Sequence, residues 1–146
     1  MISPRDKETG QTSLVFIASL VIIMAAFALL VDGGRYLVMR NRARMMADAS
    51  ALSGAGMLDV EKAQEGDFVL HSDLAFKQAH YIFNENIADI PVWADYQISQ
   101  VQVRDNEIRV TVIGTSAPLF GSNLGLNYSA TVVSSARAAS GISSER

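Results

Sequence analysis

An uninterrupted apolar run near the start of the chain, residues 14–31, constrains the fold more than any other feature. The run contains 18 residues and no charged side chain, which is near the lower length limit for a helix that crosses a bilayer. A surface helix of a small soluble domain is apolar on one side only, whereas this run is apolar on all sides. We therefore predict one membrane span, with the rest of the chain on one side of the membrane.

A cleaved signal peptide is the alternative interpretation of the same run. The run is longer than the apolar core of most signal peptides. The small-residue segments that resemble a cleavage site, residues 47–49 and 49–51, lie well beyond its end, whereas such a site normally follows the core closely. The sequence therefore favours an anchor that stays attached.

Composition limits the size and the chemistry of the domain after the span. The chain has 146 residues, a net charge of −3 and no cysteine. Roughly a hundred residues remain after the span, which is enough for one small domain. The mild negative charge argues against nucleic acid as a partner, and the absence of cysteine excludes disulfides and thiolate metal sites.

The charges around the run bear on orientation. Arg5 and Lys7 precede it, and four arginines come after it within 13 residues. The positive-inside rule alone would place the C-terminal side in the cytoplasm. The arginines after the run are Arg35, Arg40, Arg42 and Arg44.

The polar start of the chain is expected to lead into a helix with Thr12 or Ser13 as its N-cap. Gly33 and Gly34 are the main break signal after the run, because glycine costs about 1 kcal/mol in a helix interior. We expect one long helix that passes through this pair or bends at it. Asp32 and Arg35 lie one turn apart, which suits an ion pair at the membrane surface.

The second half of this helix carries small side chains at spacings of three and four, which places them on one face. Small side chains let another backbone approach closely. Two partners fit this face: the domain's own sheet, or another helix within an oligomer. The stripe consists of Ala43, Ala47, Ser50, Ala51, Gly54 and Ala55.

A second helix is predicted from about residue 67 or 72 to residue 88, ended by Pro91. Its apolar face recurs at helical spacing. The predicted face consists of Ala75, Ala79, Ile82, Phe83 and Ile87.

After residue 98 the apolar period changes to two, which indicates strands. Two alternating segments, 99–104 and 107–112, flank Asp105 and Asn106, which suit a two-residue hairpin turn. A third strand is predicted at residues 126–132, and a frayed tail from Ala136. The predicted hairpin pairs are Arg104 with Glu107, Gln102 with Arg109 and Val101 with Val110.

No catalytic or metal-binding constellation emerges from the sequence. His71 and His80 have no carboxylate at metal-ligand spacing, and residues 114–116 lack the lysine of a phosphate loop. Ser13 and Ser129 have no base nearby in sequence. We predict a protein that is not an enzyme and has no cofactor and no small-molecule substrate.

Several segments occur in a specific order. Gly10 closes the polar leader, the apolar run comes next, and then come Val-Asp-Gly-Gly-Arg-Tyr at 31–36 and Arg-Ala-Arg-Met-Met-Ala-Asp-Ala-Ser-Ala-Leu-Ser-Gly-Ala at 42–55. This order resembles the N-terminal region of the TadE/TadG-like family of bacterial Flp (Tad) pilus assembly proteins.

The resemblance implies a pilin-like α+β fold: a transmembrane helix that continues into a long amphipathic helix, then a second helix and an antiparallel sheet of about three strands. It also implies a cytoplasmic N-terminus and a sheet outside the inner membrane, opposite to the arginine count, and we follow the resemblance. The predicted division is a leader at 1–11, a transmembrane helix at 12–33, an extracytoplasmic domain at 34–138 and a flexible tail at 139–146.

The resemblance also indicates two sets of interaction residues, one at the membrane exit and one on the packing face. Gly10 is the candidate site of leader cleavage. Pilins of this system carry Glu at the fifth position after that glycine, where this chain has Val15, which argues against processing. The interaction residues are Asp32, Gly34 and Arg35 at the exit, and Ala47, Ala51 and Gly54 on the packing face.

The resulting functional prediction is a single-span pilus assembly factor or minor pilin. Its expected partners are inner-membrane lipid, other pilin-like subunits and Tad assembly platform proteins. The alternative is a membrane-tethered extracytoplasmic binding module unrelated to pili, which would use the polar face of the sheet. A tethered hydrolase is a third possibility that lacks a catalytic constellation.

Overall fold

The computed structural model describes residues 4–88 and 90–138, which form an α+β fold built on one very long helix. A three-stranded antiparallel sheet, in the order β1-β2-β3, packs against the C-terminal half of that helix. The predicted fold class is confirmed. The elements are α1 (Pro4–Ala55), α2 (Val60–Gln64), α3 (Ser72–Ile87), β1 (Ala94–Arg104), β2 (Glu107–Ser116) and β3 (Tyr128–Arg137), with a 3-10 turn at Gly121–Leu124.

Helix α1 is unbroken over 52 residues. The predicted N-cap at Thr12 or Ser13 was wrong, because the helix starts at Pro4 and both residues lie in its interior. Proline fits the first turn of a helix, where its missing N–H has no intrahelical acceptor. The helix also passes through Gly33 and Gly34 without a break, since the turns on either side of them are fixed by tertiary contacts described below.

The first half of α1 is not covered by any other element in the described part of the chain. Within Thr12–Ala55, an 18-residue window reaches a mean hydropathy of 3.1, and none of that window is buried. Large side chains such as Leu14, Phe16 and Leu29 are mostly exposed. By length and composition, this helix can cross a membrane.

The β1–β2 hairpin has the predicted register. All three predicted pairs are present, including Arg104 opposite Glu107 at the turn. Asp105 adopts a φ of 43°, the left-handed conformation that such two-residue turns require and that Asp tolerates. The alternation of apolar and polar residues was therefore sufficient to fix this register.

A β-bulge in β1 was not predicted. The register shifts between Ile98 and Gln100, which leaves Ser99 without a partner in the ladder. One extra residue reverses the alternation, so Tyr96 and Ile98 contact the same core as Val101. This reversal explains why a regular period of two was visible only after residue 98.

Strand β3 pairs with β2 along its whole length but is displaced from its predicted limits. It starts at Tyr128 instead of Leu126, and it continues through Ala136 to Arg137, where fraying was predicted. The Nε and Nη2 atoms of Arg137 both donate to Glu107 Oε2 at 3.1 Å. These bonds lower the pKa of Glu107 by more than burial raises it, with a further contribution from Arg109. The predicted tail at 139–146 lies outside the described residues.

The predicted second helix corresponds to α3. Ala75, Ala79 and Phe83 of its predicted face are buried, and its N-cap is His71, whose Nδ1 accepts the N–H of Leu74 at 3.4 Å. The short helix α2, capped by Asp59, was not predicted, because five residues carry too little periodicity to be recognised.

The core lies between α1, α3 and the inner face of the sheet. Helix α1 packs on β2, β3 and α3, and α3 packs on β1. The face of α1 in this core is dominated by small side chains, so the branched side chains of β2 fill the space opposite. The fully buried members include Met39, Ala43, Ala47, Ala51, Ala75, Ala79, Ile108, Val110 and Val112.

Two glycines mark the closest approaches in this core. A Cβ on Gly54 would lie 2.5 Å from Ile108 Cδ1 and 3.0 Å from the carbonyl oxygen of Ala75. A Cβ on Gly114 would lie 2.7 Å from Met39 Sδ. The separations of α1 from α3 and from β2 therefore depend on the absence of side chains at these positions.

We predict that Gly54→Leu destabilises the domain by about 1–3 kcal/mol or more, because the new side chain has no space between Ile108 and α3. Gly34→Leu is the matched control on the same helix, since nothing lies within 4 Å of a Cβ there. The control should be neutral or slightly stabilising, because leucine forms helix better than glycine. Thermal unfolding of the detergent-solubilised full chain, followed by circular dichroism, measures both. Equal melting temperatures for the two variants would contradict the close approach.

Candidate functional site at the exit of the apolar helix

Asp32 is the first charged residue after the apolar run, and only 4% of it is exposed. Its carboxylate accepts hydrogen bonds from three consecutive backbone N–H groups in the β2–β3 loop. Oδ1 accepts the N–H of Leu119 at 2.7 Å, and Oδ2 accepts the N–H of Gly121 at 3.0 Å. The N–H of Phe120 is shared, at 3.3 Å from Oδ1 and 3.2 Å from Oδ2.

The three loop N–H groups form an anion-binding site, and the anion that occupies it is the carboxylate of Asp32 from the same chain. Successive backbone N–H groups at the start of a turn form a concave donor surface that suits a negative charge. The carboxylate form is required, because its two oxygens only accept while all three loop groups donate. A contact between residues 87 to 89 positions apart thus fixes the loop beside the end of the apolar run.

Arg35 does not form the predicted ion pair with Asp32. Its guanidinium carbon lies 5.2 Å from the centre of the Trp93 ring, a cation–π geometry. Trp93 belongs to the segment between α3 and β1, and its carbonyl oxygen accepts the N–H of Ala117 at 3.3 Å. The two predicted exit residues therefore hold two different loops, and those loops are hydrogen-bonded to each other.

The next turn of α1 adds a third attachment. The rings of Tyr36 and Tyr128 meet edge to face, with centroids 5.9 Å apart. Tyr128 is the first residue of β3. Within five residues, Asp32, Arg35 and Tyr36 thus connect the end of the apolar run to the β2–β3 loop, to Trp93 and to β3. We call this region the exit junction.

The predicted packing residues occupy the interior of the domain. Ala47 and Ala51 are fully buried, and Gly54 lies against Ile108 and Ala75. The structure therefore shows the first of the two alternatives for the small-residue stripe, packing within the domain. Gly34 is exposed and has open space around it, so its predicted role in contacts with another subunit stays a prediction.

An exposed apolar stripe on α1 was missed by sequence reasoning. Val38, Met45 and Leu52 repeat every seventh residue, so they lie nearly in line on the side of the helix opposite the core. Met45 is 69% and Leu52 is 72% exposed. The seven-residue spacing was visible in the sequence. However, Met39 and Met46 directly follow Val38 and Met45 and are equally apolar, so the sequence did not show which of these neighbours would be buried.

The two histidines have structural surroundings in the part of the chain that the structure describes. Among the described residues, no group of three or more His, Cys, Asp or Glu side chains is placed to hold a metal ion. His71 caps α3, and the His80 ring lies 4.5 Å from the ring of Phe76. Gly10, the candidate cleavage site, lies within α1, and Val15 is mostly exposed.

We predict that Asp32→Asn releases the β2–β3 loop while the fold persists. An amide of the same size keeps one accepting oxygen but places an NH2 group against backbone donors. Amide hydrogen exchange at residues 119–121 should become faster by about tenfold or more, while exchange in β2 changes little.

Asp48→Asn provides the matched control for this experiment. Asp48 also lies on α1, but its side chain is exposed and its carboxylate is 3.9 Å from Arg44. An exposed pair at this spacing contributes little, so exchange in the loop should stay at the wild-type rate. Unchanged exchange in Asp32→Asn as well would show that the carboxylate does not hold the loop.

One comparison with known proteins gives a match. Residues 10–57 match the family model described as Putative Flp pilus-assembly TadE/G-like. No curated protein and no solved structure matches the chain. The matched segment contains the apolar run, three members of the exit junction and the small-residue face of α1. The resemblance predicted from the sequence is thereby confirmed over residues 10–57, where the chain is similar to the TadE/G-like family of Flp pilus-assembly proteins.

Proposed function

We propose that this protein is a non-enzymatic, single-pass inner-membrane protein that acts in the assembly of a Flp/Tad-type pilus, as an assembly factor or a minor pilin. The family match at residues 10–57 supports the connection with Flp pilus assembly. The finer role rests on how the structure divides α1 into two halves with different surroundings.

The division of α1 is the observation that carries the proposal. The run at residues 14–31 is apolar on all sides and uncovered, which in water would be strongly unfavourable and in lipid is stable. The C-terminal half buries one face against the sheet and α3. A single helix with one half suited to lipid and one half forming the spine of a domain is the architecture expected of a membrane-anchored pilin-like subunit.

The proposed topology places the leader at 1–11 in the cytoplasm, the span at 12–33 and the domain at 34–138 outside. The arginines that come after the span oppose this orientation by the positive-inside rule. Part of that charge has partners within the domain: Arg35 lies over Trp93, and Arg44 lies near Asp48. The exposed Arg44–Asp48 pair contributes little, so the proposed orientation rests on the resemblance.

The exposed stripe of Val38, Met45 and Leu52 is the proposed contact with other pilin-like subunits. It continues the apolar surface of the span beyond the membrane boundary, so one helix face could pack against a neighbouring α1 along its whole length. Helices that pack side by side carry apolar residues at two positions of every seven, and the stripe supplies one of these two positions. The small-residue stripe, which was predicted for this role, is already occupied by the core.

The leader bears on the choice between assembly factor and fibre subunit. Pilins of the related system carry Glu at the fifth position after the cleavage glycine, and Val15 has no charge to offer a neighbouring N-terminus. This difference favours an assembly factor that retains residues 1–10 and stays in the membrane.

A membrane-tethered binding module unrelated to pili is the weaker alternative. It shares the anchor and the exposed polar sheet face, but it gives no reason for the match of residues 10–57 to a pilus-assembly family.

One labelling experiment tests both the orientation and the leader. The chain has no cysteine, so Asn106→Cys, in the exposed hairpin turn, introduces a unique thiol. Spheroplasts are treated with a membrane-impermeant maleimide, and the intact mass is measured. We expect one added label on a protein that retains the full 15.8 kDa. Labelling only after cell lysis would show that the domain lies in the cytoplasm, opposite to the proposed orientation. Loss of residues 1–10 would favour a minor pilin.

A charge substitution tests the exposed stripe. Met45→Glu combined with Leu52→Glu should abolish pili on the cell surface, because two carboxylates on each subunit would repel and would need desolvation in a packed interface. Stability should change by no more than about 0.5 kcal/mol, because both side chains are exposed.

The control for the stripe is Val133→Glu, an exposed apolar position on the outer face of the sheet. Piliation should stay normal in this variant, and membrane levels of all variants should match the wild type. Wild-type piliation in the double variant would show that the stripe is not part of the assembly surface.

A further inference from the structure

We infer that the end of the domain nearest the span is itself a membrane-contacting surface, in which two loops insert apolar side chains into the interfacial layer of the lipid. This inference rests on the proposed membrane anchor. It goes beyond it, because a single anchoring helix requires no contact between the domain and lipid.

The first observation is a cluster of exposed apolar side chains on these two loops. Val92 is fully exposed, and Leu119, Phe120 and Leu126 are 51%, 49% and 47% exposed. We call these four residues the proximal patch. Soluble surfaces seldom keep several large apolar side chains together without a partner.

The second observation is where the loops are held. The carboxylate of Asp32 binds the backbone N–H groups of Leu119, Phe120 and Gly121. Leu126 packs back on the same turn, because a Cβ on Gly121 would lie 3.1 Å from Leu126 Cδ1. Asp32 directly follows the apolar run, whose 18 residues span about 27 Å as a helix, close to the thickness of the hydrocarbon core. The β2–β3 loop is therefore fixed at the level of the membrane boundary.

The second loop is joined to the first. Trp93 lies beside Arg35, one turn after Asp32, and its carbonyl oxygen binds Ala117 N–H. An open groove of about 420 Å³ lies between the two segments, with Val92 on one side, Asn127 on the other and Thr115 of β2 in its lining. Both loops thus surround the point where α1 leaves the apolar run.

The distribution of charge distinguishes this end of the domain from the other. Residues 117–127 and 90–94 contain no charged side chain. The opposite end, around the β1–β2 turn, carries Arg104, Asp105, Glu107 and Arg137. The segment 65–71, which contains Glu65 and Asp67, lies there as well, because the N–H of Leu70 donates to the carbonyl oxygen of Asp105. Asp95, at the start of β1, is an exposed carboxylate that lines the same groove as Val92, so the uncharged surface near the span consists of the two loops themselves.

The charged groups that do lie near the proximal patch are compatible with an interface. The charge of Asp32 is covered by three N–H donors, so its approach to lipid leaves no unsatisfied anion. Arg35 presents a cation beside Trp93, and Arg and Trp are both favoured at the headgroup level, where one side of the residue is apolar and the other is wet. The occupant that fits is the bilayer already entered by α1.

Fluorescence quenching in proteoliposomes tests the inference. The full chain is reconstituted into phosphatidylethanolamine–phosphatidylglycerol vesicles as single-cysteine variants carrying a nitrobenzoxadiazole fluorophore. Phe120→Cys reports the proximal patch, Ile22→Cys reports the span, and Val133→Cys is an exposed control on the sheet. Nitroxide lipids with shallow or deep labels serve as quenchers. Trp93, the single tryptophan, gives a second readout without substitution.

We expect a roughly twofold loss of fluorescence at Phe120 and at Trp93 with the shallow quencher, a stronger effect of the deep quencher at Ile22, and no loss at Val133. No loss at Phe120 and Trp93, with Ile22 quenched, would overturn the inference and leave the anchor intact. No quenching at Ile22 would contradict the anchor and remove the basis of both proposals.

Discussion

The hydrogen bonds between the Asp32 carboxylate and three backbone N–H groups of the β2–β3 loop are the constraint on which the rest of the molecule depends. They join the end of the apolar run to a loop almost ninety residues later. A buried carboxylate without partners would be costly, and three buried N–H groups without an acceptor would be costly as well. Each set of groups therefore requires the other, and the position of the β2–β3 loop beside the end of the apolar run is a consequence of that requirement.

This contact also explains how one helix serves two environments. The helix has no break between its apolar half and its domain-forming half, although two adjacent glycines lie at the boundary. The exit junction secures the turns on both sides of the glycines, with Asp32 before them and Arg35 and Tyr36 after them. The domain is thereby held close to the end of the apolar run, which places the loops at 90–94 and 117–127 beside that end and the charged hairpin turn at the far end.

Beyond the junction, one face of α1 forms part of the core and the opposite face is exposed. Small side chains at Ala47, Ala51 and Gly54 allow α3 and β2 to approach closely, and this close packing leaves no room for a second helix on the same face. The larger apolar side chains, Val38, Met45 and Leu52, lie on the opposite face, where they contribute nothing to the core.

The sequence by itself determined the elements whose signal is local. The all-round apolar run, the alternation on either side of Asp105 and Asn106, and the helical spacing of Ala75, Ala79 and Phe83 each report a periodicity over a few neighbouring residues, and each was predicted. The motif order at residues 10–55 also identified the family. Only the tertiary structure decided the rest, because it depends on contacts distant in sequence. The hydrogen-bond donors to Asp32 are backbone N–H groups of a loop, and because every residue except proline has such a group, the sequence does not mark them. The bulge at Ser99 reverses an alternation and so conceals the first half of β1. The partner of the small-residue face of α1 was decided only once the sheet was in place, since small side chains allow close packing on a sheet and on another helix alike.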